Sequence, residues 1–129
     1  MFATQFGKLF GLHFLHITNR AQITGRFNSH LKDALVVFGD EVTWGGEKKT
    51  AGILKAMITE NTIQCEPKGV DPYTVKNWIN LIVASNSDWV VPAEIDERRF
   101  CVVRVSEKKK QNRKYFEKIV KQMDSGGRE

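Results

Sequence analysis

Three groups of polar residues stand beside apolar, β-branched runs, and their types in chain order suit phosphoryl-transfer chemistry. Asp40 and Glu41 follow Ala34-Leu35-Val36-Val37-Phe38-Gly39, and Ser85 and Asn86 follow Ile79-Asn80-Leu81-Ile82-Val83-Ala84. Asp96-Glu97-Arg98-Arg99 precede Phe100-Cys101-Val102-Val103-Arg104-Val105. Hydrolysis of a triphosphate needs a divalent metal across the phosphates, a positioned water and positive charge on the group in transfer. Asp40 at a strand end is suited to hold Mg²⁺ directly or through water, and Glu41 to polarise the attacking water. Asn86 can hydrogen-bond that water and a γ-phosphate oxygen, while Arg98 or Arg99 can act as an arginine finger. Taken singly these are common features, since Asn favours turns and Arg beside acids is usually a surface ion pair. Their order and strand context carry the meaning.

Other residues offer different chemistry. Asp40 with Glu66-Pro67-Lys68 fits the D…ExK pattern of metal-dependent nucleases, but leaves Asn86 and the arginines without a role. Lys68 and Gly69, at the tip of an expected hairpin, suit a sequence-independent contact to a nucleic-acid backbone. His13 and His16 lie three apart on an expected strand, so they point to opposite faces and share no metal. Trp44, Trp78 and Trp89 read as core or packing residues rather than base-stacking platforms. Arg20, Arg26 and Asn28 form a polar cluster that would suit a nucleotide, DNA or a neighbouring subunit equally.

The elements that must position these residues follow from periodicity. Phe6, Leu9 and Phe10 mark the last turns of a helix over 4–10, which Gly11 stops. Residues 13–17 form a short strand, and the polar stretch 18–32 holds a short helix. The run 34–38 is apolar on both faces, as in a parallel sheet covered by helices. Gly45-Gly46 precede a helix over 47–59 whose stripe is Ile53, Leu54, Met57 and Ile58. Strands at 62–66 and 73–77, separated by Gly and two prolines, predict a hairpin with an irregular tip. Strands over 79–84 and 100–105 follow, then a basic helix over 107–123 with Phe116, Ile119, Val120 and Met123 as its stripe. Strands alternating with helices predict an α/β fold: a mostly parallel sheet with flanking helices and an inserted β-hairpin.

Bulk properties bound the partners. A chain of 129 residues is one domain at most, or part of one. With 41% hydrophobic and 27% charged residues it has a globular rather than a disordered composition. The net charge of +5 owes much to Lys108, Lys109, Lys110, Arg113, Lys114, Lys118 and Lys121, which suit either a polyanionic partner or a solvated helix face. Cys65 and Cys101 lie far apart without a CxxC, so neither zinc nor a disulfide framework is indicated, and both are expected as buried reduced thiols. No apolar stretch reaches the ~20 residues that span a bilayer and no signal-peptide pattern opens the chain, so a reducing, cytoplasmic setting is expected.

The ensemble resembles the superfamily 3 helicase domain of viral and mobile-element primase–helicases, most of all the branch fused to phage primase-polymerases, over essentially the whole chain. The stretch from Leu35 to Glu41 is similar to that family's Walker B strand, and that from Leu81 to Asn86 to its sensor-1 strand. Ile58-Thr59-Glu60 through Glu66-Pro67-Lys68-Gly69 resembles its DNA-contacting hairpin, and Asp96-Glu97-Arg98-Arg99 its arginine-finger segment. Residues 11–17 and Gly25-Arg26-Phe27-Asn28 resemble the branch's sequence between phosphate loop and Walker B. The resemblance implies an AAA+-like sheet, ATP and Mg²⁺ as cofactors, and single-stranded DNA as the track of a hexameric ring. It also implies that the arginine finger completes a neighbour's site, in the cytoplasm of a bacterial host.

One departure is sharp: GxxxxGK[ST] does not occur, and Phe6-Gly7-Lys8-Leu9 supplies only a Gly-Lys pair. The resemblance places that loop upstream, with the chain beginning inside the helix that follows it. Without the backbone N–H cradle the β- and γ-phosphates lose their main contacts, so the expectation is a partial ATPase domain with no measurable turnover alone. The strands at 79–84 and 100–105 are then expected to face a gap with unpaired edges and to limit solubility. The alternative without catalysis is a module that binds single-stranded DNA or joins a ring through its basic helix.

Overall fold

The computed structural model describes residues 2–42, 48–86 and 98–127. In chain order the elements are α1 (Phe2–Gly7), β1 (Phe14–Ile17), α2 (Ala21–Thr24), β2 (Val36–Asp40), α3 (Lys48–Thr59), β3 (Thr62–Cys65), β4 (Tyr73–Lys76), β5 (Asn80–Ala84) and α4 (Arg113–Asp124). The run Val36-Val37-Phe38 is β-branched or aromatic and apolar on both faces, and it becomes the central strand. β1 and β5 flank β2, both parallel to it. The register pairs His16 with Phe38 and Ile17 with Gly39 on one side, and Phe38 with Ile82 and Asp40 with Ala84 on the other.

Alternation along these strands builds two different layers. Ile17 and Val37 point to the face where Ile23, Leu31, Val42, Leu54 and Met57 complete a buried cluster. The opposite face carries Phe14 and Phe38, and α1 covers it with aromatic rings: Phe2 lies 6.0 Å from Phe38 and Phe14 6.4 Å. Gly7 permits this approach, because a Cβ there would sit 2.5 Å from the Phe14 ring.

β3 and β4 form a separate antiparallel hairpin, with Thr62 opposite Lys76 and Cys65 opposite Tyr73. Its tip is a turn closed by the Val70 N–H to Pro67 carbonyl bond of 3.4 Å. Gly69 has φ +77°, the left-handed value a type II turn requires at its third position. Asn77 ties the hairpin to the rest: its amide donates to the Met57 and Glu60 carbonyls at 2.7 and 2.8 Å. These include an otherwise orphan carbonyl at the end of α3, and the Asn77 Oδ1 accepts the Ile79 N–H at 3.0 Å.

Several expectations are corrected. The run 100–105 forms no strand, and Val102, Val103 and Val105 are 69, 73 and 84% exposed. β5 is a sheet edge among the described residues, and a β-branched run cannot become a strand without a neighbour for its N–H and C=O groups. Cys101 lies on this run and is exposed, whereas Cys65 is buried; both are free thiols. Trp78 is 54% exposed rather than core; Trp44, Trp89 and Gly45-Gly46 lie outside the described residues.

α1 ends at Gly7, and turns rather than helix continue to Phe10. The basic helix begins only at Arg113, because Gln111 has φ 61° and Asn112 caps the helix by accepting the Tyr115 N–H at 3.1 Å. No residue of α4 is buried. No helix among the described residues is long and apolar enough to cross a membrane.

Candidate functional site

Parallel pairing brings the carboxyl ends of β2 and β5 side by side, the edge at which open α/β sheets bind ligands. Asp40 is the last residue of β2 and its side chain is 48% exposed. It shares a sheet face with Phe38 and His16, and the His16 Nε2 lies 3.4 Å from its Oδ2. His16 also meets the Phe38 ring edge-on at 5.5 Å, so the imidazole is held between an aromatic edge and the carboxylate. A half-exposed pair of this kind adds little stability, and its effect is to orient Asp40.

Glu41 adopts φ 53°, left-handed backbone that a non-glycine residue rarely occupies. Two bonds hold it there. Its N–H donates to the Ala84 carbonyl at 2.9 Å, extending the parallel ladder. Its Oε1 accepts the Asn86 Nδ2 at 3.1 Å. Backbone in a sparsely populated region concentrates where surrounding structure and function demand it. The two predicted residues 45 positions apart are thus brought into direct contact.

The polar cluster at Arg26 and Asn28 has an intramolecular partner. Asn28 donates to the Gln64 carbonyl at 2.8 Å and accepts the Glu66 N–H at 2.9 Å, and the Arg26 guanidinium pairs with the Glu66 carboxylate. These contacts fix the root of the hairpin and leave Lys68 and Gly69 exposed at its tip. Glu66 is therefore engaged by Arg26, and Asp40 faces His16 on the other sheet. Among the described residues no three His, Cys, Asp or Glu side chains converge as a metal cage. The D…ExK pattern gains no support from this arrangement.

Arg98 and Arg99 are exposed; Asp96 and Glu97 lie outside the described residues. Sequence reasoning missed His16 and the bridging roles of Asn28 and Asn77. The strand period places His16 on one face of β1, but only the pairing of β1 with β2 turns that face toward Asp40.

Comparison with known proteins agrees with this fold. Over 99 residues the chain is 30% identical to the DNA Primase-polymerase of Nitratiruptor phage NrS-1, spanning 74% of this chain and 14% of that protein. The apo structure of the NrS-1 C-terminal region matches with a TM-score of 0.77 at 26% identity, covering 96% of this chain and 32% of that one. An A-form apo structure of the same region gives a TM-score of 0.74 at 26% identity, with coverages of 93% and 30%. The family model of DUF5906, a family of unknown function, matches residues 1–99, and the chain belongs to that family.

Proposed function

We propose that this chain carries the Walker B, sensor-1 and hairpin portion of a superfamily 3-type helicase ATPase acting in phage-type DNA replication. The observation that carries the reading is the contact of Glu41 with Asn86 at the paired carboxyl ends of two parallel strands. Similarity to a phage primase-polymerase supports the replication context.

The donor set suits a magnesium nucleotide. Mg²⁺ is commonly held by one or two carboxylates plus substrate phosphates and water rather than by an all-protein cage. One half-exposed carboxylate, Asp40, stands at the strand end where it could do this. When bound, the magnesium nucleotide would supply the phosphoanhydride and neutralise charge on it. Asp40, beside His16, would hold the metal. Glu41 uses its second carboxylate oxygen to orient and deprotonate a water, while Asn86 keeps that carboxylate in place and senses the phosphate. Arg98 or Arg99 serves the site of a neighbouring subunit in a hexameric ring. Lys68 and Gly69 track the backbone of single-stranded DNA.

A graft tests this. Residues 1–99 would replace the matching stretch of the phage relative, and Mg²⁺-dependent ATP hydrolysis would be measured. Turnover is expected to fall about 100-fold or more with Glu41→Gln and about 100-fold with Asn86→Ala, in the range for loss of a positioned base and of one oriented donor. A graft that hydrolyses ATP equally well with both substitutions overturns the reading.

A further inference from the structure

The amino ends of the same strands frame a second feature. His13, Lys32, Asp33, Leu35, Val75, Lys76 and Trp78 line a cavity of about 460 Å³, a size typical of small-ligand sites. It lies at the opposite end of the sheet from Asp40, Glu41 and Asn86, since His13, Leu35 and Trp78 come just before β1, β2 and β5.

Its aromatic and cationic groups are interleaved. Trp78 is 54% exposed, and the Lys76 ammonium sits 3.8 Å from the centre of its ring. Lys32, on the same wall, lies 5.8 Å from the ring of Tyr73, itself 38% exposed. The wall is also fixed. The Trp78 carbonyl accepts the Asn80 amide at 3.1 Å, and His13 Nδ1 meets the Asp33 carbonyl oxygen at 2.8 Å. Among the described residues, Asp33 is the one acid on this lining, against two lysines.

We propose that this cavity is a stacking site for a base of single-stranded DNA, with Trp78 as platform and Lys32 and Lys76 as phosphate contacts. The Lys76 ammonium covers one face of the indole, and the 54% exposure of Trp78 leaves ring surface open to a base. An open aromatic surface with ammonium groups around it is the combination that binds single strands, since every base offers a π-face and the backbone offers charge. An acidic peptide would satisfy the lysines but leave the indole without a planar partner. A base stacked on the indole lies in the cavity that Lys32 and Lys76 also line. The choice of single-stranded DNA rests on the proposed function, whereas the cavity shares no residue with the nucleotide site, so loss of base preference here and loss of ATP turnover there are separate outcomes.

The test is fluorescence anisotropy of the chain with a labelled oligothymidylate and with an abasic oligomer of the same length, without nucleotide, at about 50 and 200 mM salt. The thymidine oligomer is expected to bind about 10-fold more tightly than the abasic one, as one stacked base provides. Any contribution of Lys114, Lys118 and Lys121 is common to both oligomers and cancels. Trp78→Ala should erase the preference, and Trp78→Phe should keep most of it. Lys32→Ala and Lys76→Ala should weaken both oligomers and each lower the salt slope by about one. Equal affinity of the unsubstituted chain for the two oligomers overturns the proposal, as does a preference that survives Trp78→Ala.

Discussion

The side-chain amide of Asn86 donates to the carboxylate of Glu41 across 3.1 Å, joining the ends of two parallel strands through residues 45 positions apart. Glu41 reaches this bond from a left-handed backbone, φ 53°. A side chain there costs about 1–2 kcal/mol relative to ordinary backbone, which glycine avoids at the expense of unfolded-chain entropy. Glu41→Gly is therefore expected to melt within about 0.5 kcal/mol of the unsubstituted chain, whereas Glu41→Val, which keeps a Cβ there, should be about 1–2 kcal/mol less stable than the glycine variant. Thermal unfolding followed by circular dichroism separates the two.

Asn28 should be the strongest single tether of the hairpin. It both donates to Gln64 and accepts from Glu66, so truncation leaves two backbone groups unpaired. Asn28→Ala is expected to cost about 1–3 kcal/mol in urea unfolding. Asn28→Asp keeps the acceptor and loses the donor, and its Glu66 amide should stay protected from hydrogen exchange while the alanine variant's does not.

The two thiols should behave oppositely. Cys65 is buried, and desolvation pushes its pKa above the ordinary 9.0, with Lys32 opposing and Asp33 adding to the rise. A thiol reagent at neutral pH should label exposed Cys101 at once and Cys65 only on unfolding. Because the folded state holds the Cys65 proton more tightly, its contribution to stability is whole below the unfolded-state pKa. That contribution falls as pH rises past about 9 toward the folded-state value, because the unfolded thiol ionises first. Cys65→Ala should flatten this alkaline loss in melts at increasing pH.

Val102, Val103 and Val105 present an exposed apolar run. Such a run promotes association. Val103→Lys should lower light scattering on concentration and leave the melting midpoint unchanged, since Val103 is 73% exposed. A fall in the midpoint would show that the valine packs in solution.

The core strand, the amphipathic α3 and the hairpin were legible because each is encoded locally. Val36-Val37-Phe38 is apolar on both faces, Leu54 and Met57 recur at helical spacing, and Pro67 and Gly69 punctuate two short β runs. The same local reading failed over 100–105, whose composition is as strand-like as that of β2 but whose backbone pairs with no strand among the described residues. It failed for Trp78 as well. An indole's burial depends on what packs above it, and here that is the Lys76 ammonium and solvent.

By itself the sequence determined which chemistry was on offer: two acids and an amide at strand ends, a lysine on a glycine turn and a basic C-terminal segment. Side-chain type and strand period are properties of the residues and their near neighbours, so they can be read without a fold. Only the tertiary structure decided who meets whom. Parallel pairing set Asn86 against Glu41 and His16 against Asp40. It also set Asn28 and Arg26 on the hairpin root. Strand order and register are settled by long-range packing of the buried face, and no local spacing encodes them.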